Sequence, residues 1–566
     1  MKNYIYILGL FTLLLFNVSC GKYLDINEDP FKPTHAEISK VLTGSQYEMA
    51  YAFAPGNYMG DALSSYTFHL TIKEVDNFGL VPSFSSLGNA WLQSYVYALK
   101  NTDFVIDEGT KEGNLIYAGI GKLMKAYVFL NVVDIWGDVP YSEFNQVDDN
   151  KSPQLDSSKD IYNNLLDLID EGIADLSNQE AGLNALTPES DDLIYGGDVD
   201  KWIRMANTLK LKLLVNSRKA KEDIVDWSSQ LTSLISKSDF IKSGEDFEFK
   251  HTAKDNPDER HPAYVDEYLG GQKGMFISPW MYEIMSGKDL NVKDNPFVNI
   301  KDPRIPYYWY NQLTTKGTAQ NDTDYRDGAF VSLFFASGSS YAGSDQSQTM
   351  SCIGIYPCGG KFDLGDAEAN EKGKKPAVNK DVGNGVAPEK LLQAYSVPFM
   401  LAELYLSGDA QGDAKAALKE GIERSISHVN MVAQASDKET PAIVLSEIQE
   451  SFIDKILDAF DKADDKDKLK IVMTQKWIAN FFNPVEAYTD MRRTGYPTIV
   501  DTNFGNYAQS PYTPDKGGVV GPYDIPLAGI NAYQRALYYP TTEVTRNKNV
   551  TNTGKNITQP VLFWDK

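Results

Sequence analysis

The sequence predicts a mostly α-helical protein: a helical scaffold interrupted by an irregular, loop-rich insert that carries short strands. Three observations predict it. Apolar residues recur at helical spacing on both flanks, a Gly-rich stretch without that period lies between them, and an aromatic string borders the stretch. Of 566 residues, 42% are hydrophobic and 23% charged, which suits a large folded core and neither a disordered chain nor a membrane bundle.

Each element follows from its spacing. Between Leu115 and Asp134, residues Ile116, Ile120, Leu123, Tyr127 and Leu130 recur at steps of four, three, four and three, the period of an amphipathic helix. The same spacing returns in Tyr162, Leu166, Ile169, Ile173 and Leu176, in Trp202, Ala206, Leu209 and Leu213, and in Leu445, Ile448, Phe452 and Ile456. Residues 398–426 combine small residues, a Gly-Asp break and an Ala-rich run. They resemble a tetratricopeptide hairpin, although an ordinary helical hairpin fits the same residues. Gly supplies 10 of the 70 residues from 321 to 390, where the apolar period fades. The scaffold is therefore placed at about 37–240 and 388–566, and the insert at about 241–387.

The first 20 residues carry a Lys at position 2, an apolar run from Tyr4 to Phe16, then Val18 and Ser19 before Cys20. This reads as a secretory signal, too short to span a bilayer. A small residue before a cysteine at that distance resembles the lipobox, which makes Cys20 the acylated first residue of the mature chain and removes residues 1–19. An ordinary signal peptide with an incidental cysteine is the alternative, and Asn17 departs from the usual Leu. Export settles the reading of Cys352 and Cys358, which bracket a short Gly- and Pro-containing segment: a disulfide is expected, with two free buried thiols as the alternative.

Charge and motif spacing exclude several activities. With 54 Lys and Arg against 77 Asp and Glu, net −23, no broad positive surface is available for a nucleic acid. The five His never fall four apart as a zinc protease helix requires, and no nucleophile elbow or phosphate loop is complete. Asp322, Asp324 and Asp327 before Gly328 offer carboxylates to a calcium ion, but their spacing misses the helix-loop-helix pattern, so a solvated acidic turn is the preferred reading. No other cofactor and no metal is expected. Carboxylate pairs for glycoside hydrolysis are left open by so many acidic residues.

Several segments in order resemble the SusD/RagB family of nutrient-binding outer-membrane lipoproteins. They are Leu24-Asp25-Ile26-Asn27-Glu28-Asp29-Pro30, then Asp134-Ile135-Trp136-Gly137-Asp138-Val139-Pro140-Tyr141, and Asp198 with Lys201-Trp202 running into Ala206-Asn207-Thr208-Leu209-Lys210. Near the C-terminus follow Gln475-Lys476-Trp477-Ile478-Ala479, Arg492-Arg493-Thr494-Gly495-Tyr496-Pro497, and Arg535 with Tyr539-Pro540 and Glu543. The resemblance covers nearly the whole mature chain. It implies four tetratricopeptide-like helix pairs and a surface lipoprotein, anchored in the outer membrane by lipid. Its role would be to bind oligosaccharide, or peptide, and deliver it without catalysis to a SusC-like TonB-dependent transporter. A surface glycoside hydrolase and a protein-binding helical adaptor are the competing classes.

The motif residues have structural explanations of their own. Trp136-Gly137 with Pro140 makes a helix stop, Trp202 and Trp477 belong to a core, and Arg492 and Arg493 suit ion pairs. Ligand contact is expected instead from aromatics in the insert, namely Trp280, Trp309, Tyr310, Tyr325, Tyr341 and Tyr356, because Tyr and Trp offer rigid apolar faces with a polar edge. If Tyr307 to Tyr310 form a strand, only one alternating pair can face a ligand.

Overall fold

The periodic segments fold as helices in the computed structural model. It describes residues 36–72, 88–146, 150–178, 185–270, 273–289, 292, 294–321, 323, 325–334, 347–365, 378–501, 506–507, 511–513, 521–524 and 534–565. The signal segment, Cys20, Asp322, Asp324 and Tyr341 lie outside the described residues. The first half runs α1 (Ile38–Tyr51), α2 (Tyr58–Tyr66), α3 (Lys100–Lys111), α4 (Leu115–Trp136), α5 (Ser158–Leu176), α6 (Val199–Ser217) and α7 (Trp227–Lys237). After the insert come α8 (Ser396–Ser407), α9 (Ala414–Ser436), α10 (Asp454–Lys462), α11 (Asp465–Ala479) and α12 (Pro484–Thr494).

Side chains at the helix starts take up free backbone N–H groups. Ser157, Asp198, Asp413 and Asp464 each accept from the amide three residues on, the N-cap arrangement. Helix α4 stops at Gly137, whose φ of 83° is open to glycine and strained for other residues. Consecutive helices pack in antiparallel neighbours, α3 on α4, α4 on α5, α5 on α6 and α8 on α9. Close approach depends on missing side chains: a Cβ at Gly119 of α4 would lie 2.8 Å from Leu176 Cγ and 3.0 Å from Gly172 O.

Two helical expectations need correction. Helix α4 is not amphipathic but buried on nearly all sides from Tyr117 onward, because α3, α5, α6 and α12 surround it. Among the described residues it is the helix long and apolar enough to cross a membrane, and it is the core helix here instead. The run from Leu445 to Ile456 is not one α-helix. It breaks into a short turn at Leu445–Ile448, a π-helical turn at Gln449–Ile453 and then α10; the wider turn shifts the phase so that Phe452, Ile453 and Ile456 are all buried.

Buried ions join the two halves of the scaffold. Glu403 of α8 takes Arg493 of α12 at 2.7 Å and Arg218, just after α6, also at 2.7 Å. Glu486 lies between Lys476 at 2.8 Å and Lys212. Arg493 thus forms the expected ion pair, while Arg492 does not. Its guanidinium donates to the carbonyls of Asp134 and Arg535, at 2.5 and 2.7 Å, and stacks on Tyr488. Trp202 and Trp477 are core residues.

The insert leaves and rejoins the scaffold through one antiparallel ribbon, β2 (Phe247–Lys250) with β8 (Pro388–Leu392). Within it, β4 (Trp309–Asn311) pairs with β7 (Ser351–Ile353) and β5 (Tyr325–Asp327) with β6 (Phe330–Ser332), while its β3 (Met275–Ile277) pairs with β1 (Leu70–Ile72) of the first scaffold segment. No disulfide links Cys352 to Cys358; both are free and buried. Cys352 sits on β7 opposite Tyr310 and takes the Gln312 amide at 3.1 Å, whereas Cys358 ends a short helical turn and lies 3.6 Å from Gly354 O. The two thiols thus have separate backbone settings and separate hydrogen-bond partners.

Candidate ligand-binding site

The described members of the expected aromatic platform are core. Tyr307 and Tyr308 close a short helical turn and Trp309 and Tyr310 open β4, so the string does not alternate along one strand. All four are buried. Trp309 and Tyr325 pack around the stacked pair Tyr282–Phe330, whose centroids are 3.9 Å apart. Trp280 is clasped between Phe68 and Phe334, Tyr356 stacks on Tyr308, and Lys361 lies over Tyr310 and donates to its hydroxyl at 3.0 Å. Trp280, Trp309, Tyr310, Tyr325 and Tyr356 are each 5% exposed or less, so none presents a ring face for stacking. The short strands bury rings on both sides, and a loop-rich sequence hid that. Asp327 is likewise committed, to Lys288 and to the Tyr282 hydroxyl at 2.9 Å, which removes it from a calcium set.

A different aromatic pair reaches solvent. On α1, Tyr47 is 45% exposed and stacks on Tyr51, one helical turn on, at 5.8 Å and 10°. Tyr47 also meets Phe249 edge-on at 5.9 Å. With Ala50, Ala54, His251, Pro262 and Glu389 these rings line a shallow surface cleft. It encloses no room for a ligand, so a sugar ring would lie against the exposed Tyr47 face and not inside a pocket. Sequence reasoning passed over it because tyrosines at i and i+4 on a helix read as a core face.

The ribbon explains the wall of this cleft. Phe249 faces Glu389 across β2 and β8, while Glu248 faces Lys390, and successive side chains alternate between faces. Phe249 and Glu389 therefore turn to the cleft. Burial raises the Glu389 carboxyl well above its ordinary range and lowers His251 to about 3 and His261, 3.2 Å from Glu389, to about 3. A wall of neutral carboxyl, neutral imidazole and aromatic rings suits an uncharged hydroxylated ring more than an ion.

A family profile described as "Starch-binding associating with outer membrane" matches residues 30–514. The chain belongs to this SusD-like family. Its fold is shared with a chitin-binding protein at 22% identity and TM-score 0.64, covering 94% of this chain and 100% of that one. A chitin-binding SusD homolog from Flavobacterium johnsoniae matches at 18% and 0.63, covering 94% and 99%. A SusD homolog from Bacteroides fragilis matches at 15% and 0.61, covering 94% and 100%. No curated protein matches by sequence. The segments that carried the SusD resemblance hold this fold together: Asp134 accepts from Tyr162, Asn216 and Thr489, and Trp136 donates to Tyr538 O at 3.2 Å.

Proposed function

We propose that this SusD-like protein is a lipid-anchored surface lipoprotein that binds oligosaccharide and passes it, unaltered, to a TonB-dependent outer-membrane transporter. The observation that carries the reading is the family match over residues 30–514. Two chitin-binding proteins of the same fold support a glycan ligand, and the neutral, tyrosine-faced cleft supports an uncharged one. Residues 1–19 serve as the signal, Cys20 carries the lipid, and residues of about 241–387 form the ligand-bearing region, with Tyr47 and Tyr51 of α1 facing it across the β2–β8 ribbon.

Incubating the pure protein with starch and chitin oligosaccharides tests the reading. Retention without change in chain length is expected. Cleavage of either glycan overturns the non-catalytic assignment, and failure to retain any glycan overturns the ligand class. Cys20→Ala is expected to release the protein from the membrane fraction; a variant that stays there with an acyl label overturns the anchor.

A further inference from the structure

The second face of the β2–β8 ribbon meets His428 of α9 and gathers charge. Asp246 and Glu248, two residues apart, lie there with His428, their ligating atoms all within 4.8 Å of one another and all three residues buried. Glu248 Oε2 is 3.2 Å from His428 Nε2, and Gln393 Nε2 is 3.2 Å from each of them. These three atoms form an equilateral triangle. A metal ion with ligands at about 2.0 Å in a tetrahedron sets neighbouring ligand atoms about 3.3 Å apart.

Two further observations point to a cation. Gln393 is fully buried and its Oε1 has no hydrogen-bond partner; a half-turn of the amide, which exchanges O for N, brings that oxygen to the triangle as a ligand. Among the described residues the carboxylates also have no Lys or Arg bonded to them, and Glu248 pairs with His428 alone. Asp246 accepts from the Ala394 amide at 2.7 Å and Glu248 from Gln393. Lys390 donates to the Tyr356 hydroxyl and to the carbonyls of Ala479 and Phe481, so its ammonium is engaged with neither carboxylate. Two buried carboxyl groups therefore stand side by side with no Lys or Arg bonded to them, an arrangement that is costly unless a cation is supplied.

We infer that Asp246, Glu248, His428 and Gln393 form a structural metal site that takes a divalent cation of the zinc class, clamping the ribbon at the base of the insert to helix α9. The donor set selects the metal. Imidazole nitrogen beside carboxylate oxygen suits Zn²⁺, whereas Ca²⁺ takes six to eight oxygens. The second coordination layer is present as well. The other ring nitrogen of His428 lies 3.3 Å from the Tyr356 hydroxyl, which fixes the ring as the outer partner of a metal-bound histidine does. Metal held at this position joins residues separated by up to 182 positions, so its binding energy adds to folding stability.

Zn²⁺ alone, titrated into the full chain after chelator treatment, tests the inference. We expect one equivalent bound, a thermal midpoint that rises with Zn²⁺, and weakening of at least about tenfold in both Asp246→Asn and Glu248→Gln. Calcium in place of zinc is expected to leave the midpoint unchanged. Zinc that binds His428→Gln as tightly as the parent chain sits elsewhere and overturns the site. No bound equivalent and no midpoint shift in the parent chain overturns it too, and leaves Glu248–His428 as an ion pair. That parent titration decides the matter even where a variant does not fold.

Discussion

Tyr47 and Trp309 carry opposite expectations for the same substitution. Tyr47→Ala removes a half-exposed ring and is expected to weaken glycan binding by about 1–3 kcal/mol, the scale of ring stacking on flat ligands, with the denaturation midpoint nearly unchanged. Trp309→Ala opens a cavity in the insert core and is expected to cost about 3–5 kcal/mol of stability. Calorimetry with a retained oligosaccharide and urea melts of both variants separate the roles; normal binding by Tyr47→Ala removes the cleft from consideration. The cysteines give a second residue-scale outcome. Burial pushes the Cys352 thiol up to about 12 and Cys358 higher still, so an alkylating reagent is expected to miss both in the native protein. In denaturant without reductant it is expected to label both, and a missing mass shift there would restore the disulfide. Residue identity did not disclose these environments. A Tyr in a Gly-rich stretch and a Tyr on a helix look alike until the neighbours that cover each ring are placed.

Helix crossings depend on glycines whose spacing alone does not reveal them. Gly119 of α4 meets Leu176 and the backbone oxygen of Gly172 on α5, so Gly119→Ala gains about 1 kcal/mol of helix propensity and loses about 1–3 kcal/mol to overpacking. A net loss is expected. Gly44 of α1 has nothing within 4 Å of an added Cβ, and Gly44→Ala is expected to raise stability by up to about 1 kcal/mol. Paired urea melts check the sign of each, and a stabilising Gly119→Ala would mean that α4 and α5 move apart at little cost. Helices were legible at this scale because the 3.6-residue period is local. Short strands were not: apart from the β5–β6 hairpin, each of β1 to β8 has a partner tens to more than a hundred residues away, and segments of three to five residues carry too little alternation to read.

The whole molecule shows its buried charges in its pH dependence. Burial lowers His69, His251 and His261 to about 3, so the unfolded chain alone protonates them below about pH 6.5 and stability falls there. Burial raises Asp61 to about 8 and Glu267 to about 7, and raises Glu389 well above its ordinary range. The folded chain alone protonates these three down to about pH 4.3, which favours folding as pH falls and largely cancels the imidazoles. Below about pH 4.3 that offset stops growing. Burial alone would raise Glu486 and Glu403, but Lys212 and Lys476 hold Glu486 down to about 2, and Arg493 and Arg218 hold Glu403 lower. Their stabilisation, present above the unfolded carboxyl range, is lost as pH falls through it. Urea midpoints are therefore expected to change little between pH 6.5 and 4.5 and to drop steeply below 4, with about five protons taken up on unfolding; a steady decline from pH 6.5 would contradict the cancellation. By itself the sequence determined the helical class, the stop at Gly137, the core tryptophans Trp202 and Trp477, and family membership, since each rests on local period or on motifs in chain order. Tertiary structure alone decided which aromatic rings are covered, that Cys352 and Cys358 are unbonded, and that Asp246, Glu248, Gln393 and His428 converge. Those outcomes depend on contacts between distant segments, which position along a chain does not encode.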